Sequence, residues 1–167
     1  MLRLDELQFA DGNFFVAMEY YAAIMNRTYM VLIAADNIVG IIVHGVVAST
    51  DRGDWLTRLI AAKLSPNGDL SNPMSYVDEK YGRLYKDVDL CSDDLTRIKK
   101  ANFRVALSDI KNVYYDPTKK WGMGAYPHDG KVYIEFGGCE REFIVLGDQS
   151  GEAIASAIRN RLPSALA

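Results

Sequence analysis

Few residues in this chain are of types that do chemistry unaided. Its two histidines are far apart: His44 lies inside an apolar run and His128 in Pro127-His128-Asp129-Gly130. A triad or a histidine-rich metal site needs several such groups together, so His44 reads as structural and His128 as a turn residue. Cys91 and Cys139 lack CxxC spacing and belong to no nucleophile motif; both read as buried small apolar side chains in a reduced protein. Asp87, Asp89, Asp93 and Asp94 begin like a calcium loop, but Ser92 stands where the sharp turn wants glycine and Ile98 where a bidentate glutamate belongs. The acids suit a solvated helix start instead, and no metal is expected. Gly122-Met123-Gly124 is followed by Pro127 and not by a helix, so it is no phosphate loop. Asp109, Asp116 and Glu135 are the scattered carboxylates a small enzyme would draw on, yet no motif pairs any two of them.

One short segment has a composition suited to an anionic surface. Lys119, Lys120 and Trp121 follow the Asp116-Pro117-Thr118 reversal, two cations for charge and one aromatic for an interface. Each such lysine contributes only about 1 kcal/mol at a membrane, and edge lysines also discourage strand pairing. They are the candidate ligand-binding residues; no catalytic residue and no cofactor is expected.

The whole chain sets the limits. It has 167 residues, 49% of them hydrophobic and 25% charged, with a net charge of -3. Those values describe a globular protein and give no global cationic field for nucleic acid. Residues 1–97 carry net -5 and residues 98–167 net +2, so a mildly basic last third joins an acidic remainder. The start, MLRLDELQFADG, has acids where a secretory signal has a basic region and an apolar core. A cytoplasmic location is expected, and the sequon at Asn26-Arg27-Thr28 then carries no meaning. The most membrane-like stretch, Tyr29 to Ala48, is interrupted by Asp36-Asn37 and reads as two strands and a turn.

The elements that must position these residues follow from periodicity. Asn13 can cap a helix over 14–25, with Phe14, Met18, Tyr21 or Ala22, and Met25 on one stripe. A hairpin is expected over 28–47, turning at Asp36-Asn37. Residues 51–97 read as a helical insertion: Trp55, Leu59 and Ala62 stripe a first helix, Val77, Tyr81 and Leu84 or Tyr85 a second over 75–86, and Ser92 can cap a third. Over 102–147 come five short strands in meander order, including one at Lys119–Ala125 and a hairpin at Asp129-Gly130. Asp148 or Ser150 starts a last helix, 150–162, striped by Ile154, Ala157, Ile158 and Leu162 and stopped by Pro163.

Seven antiparallel strands and a closing helix, in a mainly β chain with helical insertions, form a single expected domain over 1–167. The inventory resembles the pleckstrin-homology-like superfold shared by PH, GRAM and bacterial PH-like domains. The likeness is carried by VALSDIKNVYYD, KVYIEF, REFIVL and the last helix. It implies a partly open barrel plugged by that helix. The superfold's phosphoinositide site uses basic residues in the first hairpin loop, where this chain has Ala34-Ala35-Asp36-Asn37. What the resemblance then implies is a non-catalytic module binding a protein or peptide, self-association included, through strand edges, loops or the groove beside the last helix. A peripheral anionic-lipid module using Lys119–Trp121 is the alternative, and a small carboxylate enzyme the last.

Overall fold

The computed structural model describes residues 3–4, 12–21, 25–45, 68–123 and 126–163. Within them seven antiparallel strands curl into a half-barrel: β1 (Phe14–Tyr20), β2 (Asn26–Ile33), β3 (Asn37–His44), β4 (Phe103–Ala106), β5 (Ile110–Asp116), β6 (His128–Phe136) and β7 (Cys139–Leu146). Three helices join them: α1 (Glu79–Tyr85), α2 (Asp94–Ile98) and α3 (Gly151–Arg159). The strand order is β4-β3-β2-β1-β7-β6-β5. β1 and β7 meet at only two registered pairs, Ala17↔Val145 and Met18↔Ile144, which is where the sheet folds over.

The expected N-terminal helix over 14–25 is instead strand β1 and a turn. Phe15, Ala17 and Glu19 face the concave side, while Val16 and Met18 face the convex side, and all five are buried. A run apolar on both faces loses its alternation, and spacings of three and four then mimic a helix. Asn26, read as a helix stop, opens β2 in register with Tyr20.

The expected hairpin over 28–47 exists as β2 and β3, tightened by the Ala34 N–H donating to the Asn37 carbonyl; residues 46–47 lie outside the described set. In the 102–147 segment the structure departs from the meander twice. Residues 119–123 form no strand, and 124–125 are not among the described residues. β4 and β5, consecutive in the chain, do not pair; they are the two free edges of the sheet. Seven strands are nonetheless present, because β1 supplies the one that Lys119–Ala125 does not.

Asp129-Gly130 is not a hairpin turn either. It sits within β6, where the register to β7 shifts between His128 and Lys131. Gly130 has φ +59°, and a Cβ there would lie 2.3 Å from the Asp116 carbonyl oxygen, so the dipeptide makes a glycine bulge. The two-residue turn between β6 and β7 uses Gly137-Gly138, both at positive φ, as a twist-matched hairpin requires.

α3 closes the concave side. Ser150 caps it by accepting from the Ala153 N–H, and Ile154, Ala155 and Ile158 join Phe15, Tyr29, Val31, Val113, Ile134 and Phe143 in the main core, with Leu162 packed against it. The convex side of β2 and β3 is covered too: Met30, Leu32, Val39, Ile41 and Val43 pack on Tyr85, Leu90 and Leu95. Asn102 ties these helices to the sheet. Its Oδ1 accepts from the Ile42 N–H and the Tyr85 hydroxyl, and its Nδ2 donates to the Leu95 carbonyl. Within the expected insertion, residues 51–67 lie outside the described set. Residues 75–86 split into a 3-10 turn, Pro73–Tyr76, and α1, with Tyr85 buried and Leu84 exposed.

Candidate functional site

The 117–123 loop starts where sequence reasoning placed a reversal. Asp116 Oδ1 accepts from the Thr118 N–H at 2.8 Å, and Asp116 Oδ2 lies 2.7 Å from Lys131 Nζ. These contacts, the Lys131 ammonium foremost, hold the Asp116 carboxyl down at about 2. The three predicted residues then part company. Lys120 folds back onto the sheet: its Nζ lies 2.7 Å from Glu142 Oε1 and 5.6 Å from the Tyr20 ring centroid. Lys119 is exposed, and Trp121 is 87% exposed.

His128 fixes this loop to β6. The Lys120 backbone N–H donates to Nε2 at 3.2 Å, and Nδ1 lies 2.9 Å from the Tyr126 carbonyl oxygen, an atom that only accepts. The ring is therefore the neutral Nδ1–H tautomer, a structural role. Glu142 is shared: Tyr133 donates to Oε2 at 2.8 Å while Lys120 holds Oε1. Burial opposes its charge, but the Lys120 and Tyr133 hydrogen bonds prevail and keep its carboxyl below the usual value. Burial, and then Glu142, push the Tyr133 hydroxyl up to about 12. Tyr114 stacks on Tyr133 with centroids 4.7 Å apart.

A second feature gave no sequence signal. Glu19 occupies an inward position of β1, one step beyond Phe15 and Ala17, and bridges two arginines: Oε1 to Arg141 Nε at 2.7 Å and Oε2 to Arg27 Nη2 at 2.8 Å. Arg141 lies over the Phe103 ring at 3.9 Å, and Arg27 over Tyr21 at 4.8 Å. Burial raises the Glu19 carboxyl, but the two guanidiniums more than offset it, so it titrates below the ordinary value. The trio covers the aromatic group of Tyr29, Phe103 and Phe143. One acid among seven strand residues reads as a solvated helix position, and only the pairing of β1 with β2 brings Arg27 opposite it.

The third feature is a cleft of about 580 Å³ between α3, the start of β1 and the 3-10 turn, within the size range of small-ligand and side-chain pockets. Phe14, Pro73, Met74, Ala153 and Ile154 supply apolar wall, with Asn72, Asp148 and Ser150 as its polar groups. Gln149 holds it together. Its Oε1 accepts from the Val16 N–H at 2.9 Å, and its Nε2 donates to the Val16 carbonyl at 2.8 Å and to the Leu146 carbonyl. The side-chain amide thus acts as one residue of a neighbouring strand where β7 has ended.

Other residues singled out from sequence serve local structure. His44 ends β3 opposite Thr28, and burial holds its pKa below the usual value. Asp89 accepts from the Cys91 N–H, Asp94 pairs with Arg97, and Asp93 lies 3.7 Å from Arg104. Asp109 and Asp116 stand at opposite ends of β5, about 20 Å apart at strand rise, so these two carboxylates are not brought together. The cysteines are not buried as expected: Cys139 is exposed at the start of β7, where the β6–β7 hairpin leaves the sheet, and Cys91 is half-buried. Comparison with protein-family models, with curated proteins and with solved structures finds no match to this chain.

Proposed function

We propose that this chain is a non-catalytic interaction module, PH-like in architecture, that binds a protein or peptide partner in the cleft beside α3. The observation that carries the reading is that cleft: apolar walls with polar groups between them, held by the Gln149 side chain. It suits one or two apolar side chains of an extended segment. The strand order, with a C-terminal helix packed in the concavity, supports the PH-like assignment, and self-association is one form of such binding. The reading needs no cofactor, and it expects a cytoplasmic protein. No helix among the described residues is long and apolar enough to cross a membrane.

Selection of peptides from a random library against the full chain tests it. Bound peptides are expected to lose affinity for Ala153→Arg, which fills the cleft from an exposed helix position, and to keep it for Lys119→Glu. Peptides indifferent to Ala153→Arg refute the cleft as the site.

A second reading is favoured by the 87% exposure of Trp121: peripheral binding to anionic lipid through the Lys119–Trp121 loop. Sedimentation with anionic vesicles is expected to weaken with salt. Because Lys120 is already paired with Glu142, Lys119→Glu should account for most of the loss seen in Lys119→Glu/Lys120→Glu. Equal effects of the two single substitutions count against this geometry.

A further inference from the structure

We propose that the cleft beside α3 selects its peptide by charge as well as by shape. It takes an apolar side chain that has a lysine or arginine within two positions of it in an extended segment, and Asp148 is the residue that makes this choice. The inference rests on the cleft reading above and adds to it the chemistry of the partner.

The polar groups of the cleft are not equally available to a ligand. Gln149 spends both Nε2 hydrogens on the Val16 and Leu146 carbonyls, and its Oε1 on the Val16 N–H. At the start of α3, Ser150 Oγ accepts from the Ala153 N–H, the Gly151 N–H donates to Asp129 Oδ2 at 2.8 Å, and the Ile154 N–H donates to the Ser150 carbonyl. With those donors used, the helix start has little left to attract an anion. Asn72 Oδ1 accepts from the Met74 N–H, which leaves the Asn72 amide nitrogen as a donor. Asp148 is engaged only through its backbone, whose N–H donates to the Ser71 carbonyl at 2.8 Å; among the described residues its exposed carboxylate has no ion pair or hydrogen bond.

Charge complementarity then names the occupant. Among the described residues no lysine or arginine lines the cleft. The cation nearest in the chain, Arg159, is held by Glu152 and turned toward the Val113 carbonyl on β5. Asp69 is exposed two residues before the Ser71 that holds Asp148, and it adds a second negative charge to the same stretch of chain. The apolar walls include Met74, 38% exposed and so left to solvent in the free protein. A ligand that fits puts an apolar body between these walls and a cation at Asp148, while the Asn72 amide meets a backbone carbonyl. Side chains two positions apart in an extended segment point the same way, so one peptide supplies both groups. An exposed ion pair adds only about threefold to fivefold in affinity, which makes Asp148 a specificity residue and leaves most of the binding to the walls.

The test is selection of phage-displayed random peptides on the full chain and, in parallel, on Asp148→Lys, with circular dichroism to confirm that the variant is folded. The unmodified chain should enrich lysine or arginine within two positions of an apolar anchor, and Asp148→Lys should enrich aspartate or glutamate there instead. A synthetic copy of the most enriched peptide should bind the unmodified chain about threefold to fivefold more weakly when its basic residue is changed to serine. The same change should have no effect on binding to Asp148→Asn, which assigns the pair. If the selected peptides depend on Ala153 but show no basic preference, or show the same preference on Asp148→Lys, charge selection by Asp148 is overturned and the cleft reading stands. If they are indifferent to Ala153→Arg, or if no peptide is enriched, the cleft reading falls and this inference with it.

Discussion

Replacing Gln149 with alanine tests whether a side chain really stands in for a missing strand. Val16 is fully buried, and β7 pairs with β1 only at Ala17 and Met18, so the Val16 N–H and carbonyl meet the Gln149 amide instead of a neighbouring backbone. Each buried backbone group left without a partner costs about 1–3 kcal/mol, which puts the two Val16 groups at about 2–6 kcal/mol. Gln149 lines the cleft, so water can enter and replace part of the loss. The expected destabilisation of Gln149→Ala is then about 2–4 kcal/mol, or about 5–15 °C in Tm for a chain of this size. Gln149→Glu should cost at least as much, because a carboxylate oxygen would replace Nε2 against the Val16 and Leu146 carbonyls. Urea unfolding followed by circular dichroism measures both. A Gln149→Ala unfolding free energy within about 0.5 kcal/mol of the unmodified chain, at unchanged m-value, would show that the amide is incidental and that the pairing of β1 with β2 and its core contacts suffice.

Three further outcomes are expected. Glu19→Gln should destabilise by about 2–4 kcal/mol at neutral pH, because it leaves two half-buried guanidiniums without their shared carboxylate. The folded pKa of Glu19 lies below its ordinary 4.5, so its contribution is present above that value and is lost as pH falls through the lower folded one; Glu19→Gln should therefore lose less stability on acidification, and an equal loss in both proteins rejects the argument. Gly40→Ala would place its Cβ 1.9 Å from the Phe103 ring, costing about 1–3 kcal/mol, and Gly40→Ala/Phe103→Leu should recover part of that in a thermal melt; no recovery means the clash lies elsewhere. A chain ending at Gly147 loses Ile154, Ala155 and Ile158 from the main core, and at about 1.5–3 kcal/mol for each large side chain it should be insoluble or lack cooperative unfolding; a sharp, unshifted melt contradicts the packing of α3.

Where a segment has one wet face, its own residues were enough to specify it. α3 shows this best, with Ser150 as cap, Ile154 and Ile158 on one stripe and Pro163 past its end, and so does β6 from Val132 to Phe136, where alternation survives. Composition likewise determined a globular chain without a global cationic field. Tertiary structure decided the rest, because identical local patterns serve different ends. Phe14–Tyr20 is buried on both faces, so its periodicity cannot separate strand from helix until β2 and β7 flank it. Asp129-Gly130 favours a left-handed backbone, which a hairpin and a bulge both use, and only the crowding against Asp116 selects the bulge. The Glu19 trio and the Gln149 bridge each join residues from separate strands or loops. Contacts of that kind are created by the curl of the sheet, and no window of neighbouring residues contains them.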